Sequence, residues 1–173
     1  EVTCESNTGT SNPVLVSMNP WYNCYCIPTY SSGGSSDGMV LVTLGPLSQA
    51  TTGNVSPYYY DYTSTQNAIP NLALGGTSNL SITFGSDPNQ YSGAWIDFDQ
   101  SGSFETTEFF TSNTNGGANG TIIISIIVPP DATPGNTRLR IRGGDDSQPT
   151  SNKPCGASNS NYGQAQDYLV NIV

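Results

Sequence analysis

No stretch of this chain carries a helical period; what recurs is a short run of β-formers closed by a turn signal. Candidate strands are Val14 to Ser17, Met39 to Leu44, Leu80 to Phe84, Ala94 to Asp99, Glu108 to Thr111, Thr121 to Val128, Thr137 to Arg142 and Asp167 to Val173. Between them stand Gly33-Gly34, Asp87-Pro88, Asn119-Gly120 and Pro134-Gly135, residue pairs that favour tight turns. Some eight short strands in 173 residues predict an all-β chain, an antiparallel β-sandwich of jelly-roll-like or Greek-key type. Thr121 to Val128 is apolar on both faces apart from Ser125, which predicts a central strand. No internal repeat is present, so one domain over 22–173 is expected, preceded by an N-terminal extension, 1–21, that holds the short apolar strand Val14-Leu15-Val16.

Composition narrows the chemistry. Only 17 residues are charged, 13 acidic and 4 basic, for a net charge of −9, and there is no His. Phosphate backbones are bound by clustered Lys and Arg, so nucleic acid is not an expected partner. Without His there is no Ser-His-Asp triad, no Cys-His dyad and no His-ligated zinc; carboxylates, hydroxyls or a hard metal ion must do whatever chemistry there is. Ser, Thr and Asn (22, 19 and 17 residues) make up a third of the chain, which fits a turn-rich extracellular protein. Seventeen aromatics and runs such as Thr121 to Val128 argue against disorder. The longest apolar stretch, Ile122 to Val128, is far below the ~20 residues of a membrane-spanning helix. No charged, apolar leader precedes Glu1, so the chain reads as a mature form whose export signal is gone.

The cysteines, Cys4, Cys24, Cys26 and Cys155, form no CxxC pattern. Cys24 and Cys26 are two apart, so in a strand they share a face and do not pair readily with each other. The preferred pairing is Cys4 with Cys24 and Cys26 with Cys155, the second bridge tying the start of the domain to a loop near its end. Such a framework implies an oxidising compartment, secreted or at the cell surface.

The sharpest local signal runs from Asp97 to Glu108. Oxygen-bearing side chains fall at Asp97, Asp99, Ser101, Ser103 and Glu105, a Gly is sixth and Glu108 twelfth, the register of a calcium loop with Ser101 where Asp or Asn is usual. Calcium takes six to eight oxygens, so a loop around it aims alternate residues inward, turns sharply at Gly and closes with a bidentate carboxylate. In this reading Asp97, Asp99, Ser101 and Glu108 supply side-chain oxygens, Ser103 its carbonyl and Glu105 a contact through water. A strand-like Gly93-Ala94-Trp95-Ile96 precedes the loop in place of a helix, which places the calcium loop on a sheet. The competing use of Asp97 and Asp99, as a carboxylate pair for glycoside hydrolysis, fits less well because neighbouring oxygens surround both acids. A non-catalytic protein is expected.

At this loop the sequence resembles the GEVED domain family of secreted and surface proteins of bacteria, over roughly residues 22–173. The resemblance rests on Tyr25-Cys26, Tyr60-Asp61-Tyr62-Thr63, Trp95-Ile96-Asp97-Phe98 through Gly102, Val128-Pro129, Ala132-Thr133-Pro134-Gly135-Asn136-Thr137-Arg138-Leu139-Arg140, Pro154-Cys155 and Gly163-Gln164-Ala165-Gln166-Asp167-Tyr168. Gln164 and Gln166 stand where the name motif has Glu, and Ser101 and Ser103 where the family tends to have Asp; both changes are read as removing charge from ion sites. The resemblance implies a β-sandwich with a structural or adhesive role and no catalytic residues.

Other features are weighed beside this. Arg138, Arg140 and Arg142 alternate, so one strand face carries three of the four basic residues; cross-strand pairing with carboxylates or an exposed face is expected over anion binding. Trp21, Tyr22, Tyr25, Tyr30 and Tyr58-Tyr59-Tyr60 are candidates for stacking on sugar rings, or for ordinary sheet faces and subunit contacts. Asn54, Asn79 and Asn119 sit in glycosylation-type triplets, of low weight in so Ser-, Thr- and Asn-rich a chain. The resulting expectation is a calcium-stabilised structural or adhesive module. Its partners are copies of itself, reached when Val14-Leu15-Val16 adds a strand to a neighbour in an extracellular fibre, or, alternatively, surface glycans bound by a carbohydrate-binding module.

Overall fold

The computed structural model describes residues 25–173 except Gly34, Ser35 and Asn54, together with the backbone of two short N-terminal strands. These two, β1 (Val2–Cys4) and β2 (Asn7–Gly9), form a hairpin. Then follow β3 (Pro28–Thr29), β4 (Met39–Leu44), β5 (Leu47–Ala50), β6 (Tyr59–Asp61), β7 (Asn71–Leu72), β8 (Thr77–Phe84), β9 (Tyr91–Ile96), β10 (Phe109–Thr111), β11 (Thr121–Ile127), β12 (Gly135–Asp145), β13 (Gly156–Ala157) and β14 (Gln164–Ile172). The candidate strand Val14 to Ser17, and with it Val14, Leu15 and Val16, lies outside the described residues, as does Cys24 and the side chain of Cys4.

The fold is a β-sandwich. One sheet has the order β10-β9-β12-β14-β6, with β7 also paired to β14; the other has the order β11-β8-β4-β5. Neighbours are antiparallel except that β6 and β7 join β14 in parallel. Alternation fixes which face each strand buries. In β12, Leu139 and Ile141 face the second sheet; opposite them, Ile122, Ile124 and Ile126 of β11 and Leu80, Ile82 and Phe84 of β8 complete one continuous core. At ~25 cal/mol per Å2 of apolar surface removed from water, this layer is the main source of stability.

Two expectations meet the structure differently. Thr121 to Val128 is not a central strand: among the described residues β11 is the outer strand of the smaller sheet, paired only with β8, and Ile123 and Ile127 of its solvent face are 58% and 61% exposed. The run is apolar on both faces, yet only one face meets the core. The arginine face, by contrast, is covered. Arg138, Arg140 and Arg142 point away from the core on the outer face of the larger sheet, yet each is at most 2% exposed, because the segment around Tyr25 to Tyr30 and the loop between β12 and β14 lie over them. The Cys26–Cys155 disulfide joins these two covering segments.

Candidate metal centre

The β9–β10 connection, Asp97 to Glu108, sits at one end of the larger sheet. Asp97 follows Ile96, the buried last residue of β9, and its carboxylate accepts the main-chain N–H groups of Ser101 and Gly102 at 3.0 Å each. These bonds fold the chain back upon Asp97; the reversal needs left-handed backbone at Gln100 (φ 58°) and Gly102 (φ 83°). Glu108 closes the loop from the other end: its Oε1 accepts Phe98 N–H at 2.6 Å and its Oε2 accepts Glu105 N–H at 3.0 Å. Between them Ser103 donates its hydroxyl to Glu105 Oε1 at 2.6 Å, and the hydroxyls of Ser101 and Ser103 are 3.0 Å apart.

Asp97, Asp99, Glu105 and Glu108 each bring a carboxylate oxygen to within 4.8 Å of the others. That span is roughly twice a calcium–oxygen distance of ~2.4 Å, the separation expected of donors around one ion. Among the described residues, Glu105 Oε2 is buried with no hydrogen-bond partner. Burial raises Asp97 from its ordinary value and pushes Glu108 up to about 8. Asp99 goes down: desolvation opposes the shift, but hydrogen bonds from Asp97 and Ser101 outweigh it. Glu105 is lowered by hydrogen bonds from Ser103 and Glu108. The two buried acids are thus shifted up and the two more exposed ones down.

The residues fit a hard divalent ion. All donors are oxygen, with neither thiol nor imidazole to favour zinc. The four carboxylates could hold such an ion, with the Ser101 hydroxyl 3.3 Å from Glu105 Oε1, and the side-chain oxygens retain lone pairs beyond their main-chain bonds. The Glu105 carboxylate lies within the same 4.8 Å group as the other three acids. Ser103 takes part through its hydroxyl on Glu105.

Tyr25 is a member of this site that reading along the chain did not find. Its hydroxyl donates to Asp97 Oδ2 across 72 positions, its ring stacks on Phe104 at 4.7 Å, and the Arg138 guanidinium lies over the same ring at 5.1 Å. The loop is thereby joined to the buried charges of the outer face. There Asp167 accepts Arg140 Nε at 2.8 Å, Arg140 Nη2 at 2.7 Å and Arg138 Nη1 at 2.9 Å, while Arg142 Nε donates to Tyr30 at 2.9 Å and Arg140 packs over Phe104 at 5.0 Å. Tyr25 and Tyr30 are therefore ring partners of arginines and only 9% exposed. Trp21 and Tyr22 lie outside the described residues. Tyr58, Tyr59 and Tyr60 are half-buried.

Gln164 and Gln166 do not belong to the ion group. They face inward, where Gln166 Nε2 donates to Met39 C=O at 3.2 Å and to Thr51 Oγ1 at 3.2 Å, and Tyr168 donates to Gln166 Oε1. Their loss of charge relative to the name motif is a matter of the inter-sheet core. A second group of acids, Asp37, Asp87 and Asp146, gathers three loops, and burial and the like charges of Asp87 and Asp37 raise Asp146.

Residues 91–171, from β9 to β14, match the family model of the GEVED domain. No curated protein and no solved structure matches the chain. No helix among the described residues is long and apolar enough to cross a membrane.

Proposed function

From its membership of the GEVED domain family over residues 91–171, we propose that this protein is a non-catalytic, calcium-stabilised structural module of the cell exterior that assembles with copies of itself. The observation that carries the reading is the convergence of Asp97, Asp99, Glu105 and Glu108 within 4.8 Å in a twelve-residue calcium register, with Glu105 Oε2 buried and unpartnered. Bound there, the ion supplies the positive charge that four carboxyls lack. Asp97 and Glu108 orient the loop through their main-chain bonds, Tyr25 and Phe104 tie it to the covered arginine face, and the hairpin end becomes rigid. The Cys26–Cys155 bridge supports an oxidising location. Assembly proceeds by strand addition from Val14-Leu15-Val16 of one copy to the sheet of the next, a head-to-tail contact that leaves an open fibre.

The test is a pair of measurements on the full chain. Chelator lowers the melting temperature and calcium restores it, because a ligand that binds only the folded state stabilises it by RT ln(1 + [L]/Kd), about 4 kcal/mol at 1,000 Kd. Electron microscopy at high protein concentration shows fibres. An unchanged melting curve contradicts the calcium reading, and a protein that stays monomeric contradicts the assembly reading.

The carbohydrate-binding alternative has one observation in its favour, a surface cleft lined by Tyr25, Ile27, Tyr59, Asp61 and Arg138 that offers ring edges beside a carboxylate and a guanidinium. A glycan array decides it: binding abolished by Tyr59→Ala supports the alternative, and an array with no hits ends it.

A further inference from the structure

The edge position of β11 has a consequence that follows from its hydrogen-bond parity. Phe84 N–H donates to Gly120 C=O, and Val128 N–H donates to Gly76 C=O, one bond at each end of the β11–β8 ladder. In an antiparallel pair, bonded and non-bonded residue pairs alternate. Ile122, Ile124 and Ile126 therefore spend their main-chain groups on Ile82, Leu80 and Ser78, their ladder partners. The N–H and C=O of Thr121, Ile123, Ser125 and Ile127 point the other way. No described strand pairs with that side.

This is an unusual edge. At seven residues it is the longest outer strand of either sheet, against three in β10, four in β5 and three in β6. The opposite edge of the same sheet is partly capped, since Asn67 accepts Ser48 N–H at 2.9 Å and donates to Pro46 C=O at 3.2 Å. Natural edges are blunted by Lys, Pro, a bulge or a covering loop. Thr121 to Ile127 contains no charge and no Pro, and keeps regular register with β8 along its length. Its two exposed isoleucines add an apolar stripe to the solvent face.

Charge selects the occupant. In a chain of net charge −9, none of the residues of β4, β5, β8 and β11 is charged, so this sheet is where two copies approach with least repulsion. The same chain is also uncharged from Ser6 to Ser36. Within that stretch Pro13 and Pro20 bracket Val14 to Asn19, six residues that approach the length of β11. Pro is tolerated at the first position of a strand and ends one effectively. Alternation gives this segment one apolar face, Val14, Val16 and Met18, to extend the core side beside Ile122, Ile124 and Ile126. Leu15 on the other face meets the exposed isoleucines.

We propose that the open edge of β11 is the acceptor site for the Val14 to Asn19 segment of a second copy, which adds as a fifth strand to the uncharged sheet. This rests on the strand-addition reading above and names the surface that receives the strand.

The test uses full-length variants. Leu15→Asp spoils the donor and leaves the acceptor; Ile123→Lys charges the acceptor edge at a solvent-facing position and leaves the donor. Light scattering and electron microscopy are expected to give fibres for the wild type and monomers for each variant alone. An equimolar mixture of the two is expected to give dimers and nothing larger, because only one donor–acceptor pair per complex is intact; that dimer also shows that both variants are folded. Ser125→Pro, which deletes one outward N–H and no ladder bond to β8, is expected to behave as Ile123→Lys does. Fibres from both Ile123→Lys and Ser125→Pro, with monomers from Leu15→Asp, leave strand addition standing and overturn β11 as its acceptor. Fibres from Leu15→Asp overturn the proposed occupant. A monomeric wild type removes the parent reading and this one with it.

Discussion

Replacement of Asp167 by Ala measures how much the covered arginine face contributes. Asp167 and Arg140 have fully buried side chains, and the side chain of Arg138 is nearly so. The carboxylate accepts three guanidinium bonds at 2.7 to 2.9 Å and the Tyr59 hydroxyl at 2.9 Å. Without it, Arg140 keeps Pro154 C=O at 3.1 Å and the Cys26 sulfur at 3.5 Å, neither of them an anion. Arg138 keeps Asp61 at 3.3 Å, whose side chain is 44% exposed and correspondingly screened. Removal of one partner of a buried ion pair costs about 3–5 kcal/mol, because a charge is left in a medium that cannot solvate it. At ~2–4 °C per kcal/mol for a domain of this size, the melting temperature falls by about 6–20 °C. Guanidinium unfolding followed by fluorescence of the buried Trp95 reads the change as a shift in midpoint at constant slope. A loss under ~1 kcal/mol would refute the reasoning, since it would mean that water reaches the arginines and the covering segments do not seal them.

Further outcomes follow from the same contacts. Burial pushes Asp145 up to about 7, although Arg142 and the hydroxyls of Ser160 and Tyr30 lower it. A carboxyl raised in the folded state binds its proton more tightly there than in the unfolded chain. Its stabilising contribution is therefore present below pH ~4 and lost as pH rises toward 7; Asp145→Asn should flatten that part of the stability–pH profile, measured by denaturant midpoints from pH 4 to 8. Loss of the Cys26–Cys155 bridge, in Cys26→Ser with Cys155→Ser, releases a loop of sequence separation 129. Loop-closure entropy sets a ceiling of about 5 kcal/mol on the resulting loss of stability, read from the same unfolding curves.

How much of this was legible along the chain depended on how local each determinant is. The convergence of Asp97, Asp99, Glu105 and Glu108 was readable because all four lie within twelve successive residues, and spacing alone encodes that geometry. The strands over Met39–Leu44, Thr77–Phe84 and Gly135–Asp145 hold β-branched or alternating runs that announce themselves. Leu47–Ala50, Tyr59–Asp61 and Asn71–Leu72 did not, since each is two to four residues long and is a strand only because a neighbour offers a ladder. The place of β11 was misread for a related reason: an apolar run records propensity, while central or edge position is decided by pairing with distant segments. The bond from Tyr25 to Asp97 and the Asp167 bridge to Arg138 and Arg140 were also out of reach. They join segments 72, 29 and 27 positions apart on a face that a single strand's pattern cannot show to be covered. Arg138, Arg140 and Arg142 did mark that face as cationic, and Asp167 as its carboxylate is the cross-strand partner of Arg140.

The central claim is that Asp97 to Glu108 binds calcium, and titration calorimetry on chelator-stripped protein tests it most directly. The account expects one ion per chain at this loop. Glu108→Ala removes that binding, because it withdraws both the closing carboxylate and the acceptor of Phe98 and Glu105 N–H. Proton release on binding is expected as well, seen as a heat that varies with the ionisation enthalpy of the buffer, since burial pushes Glu108 up to about 8. No measurable binding to the wild type, or binding that Glu108→Ala leaves unchanged, would contradict the account.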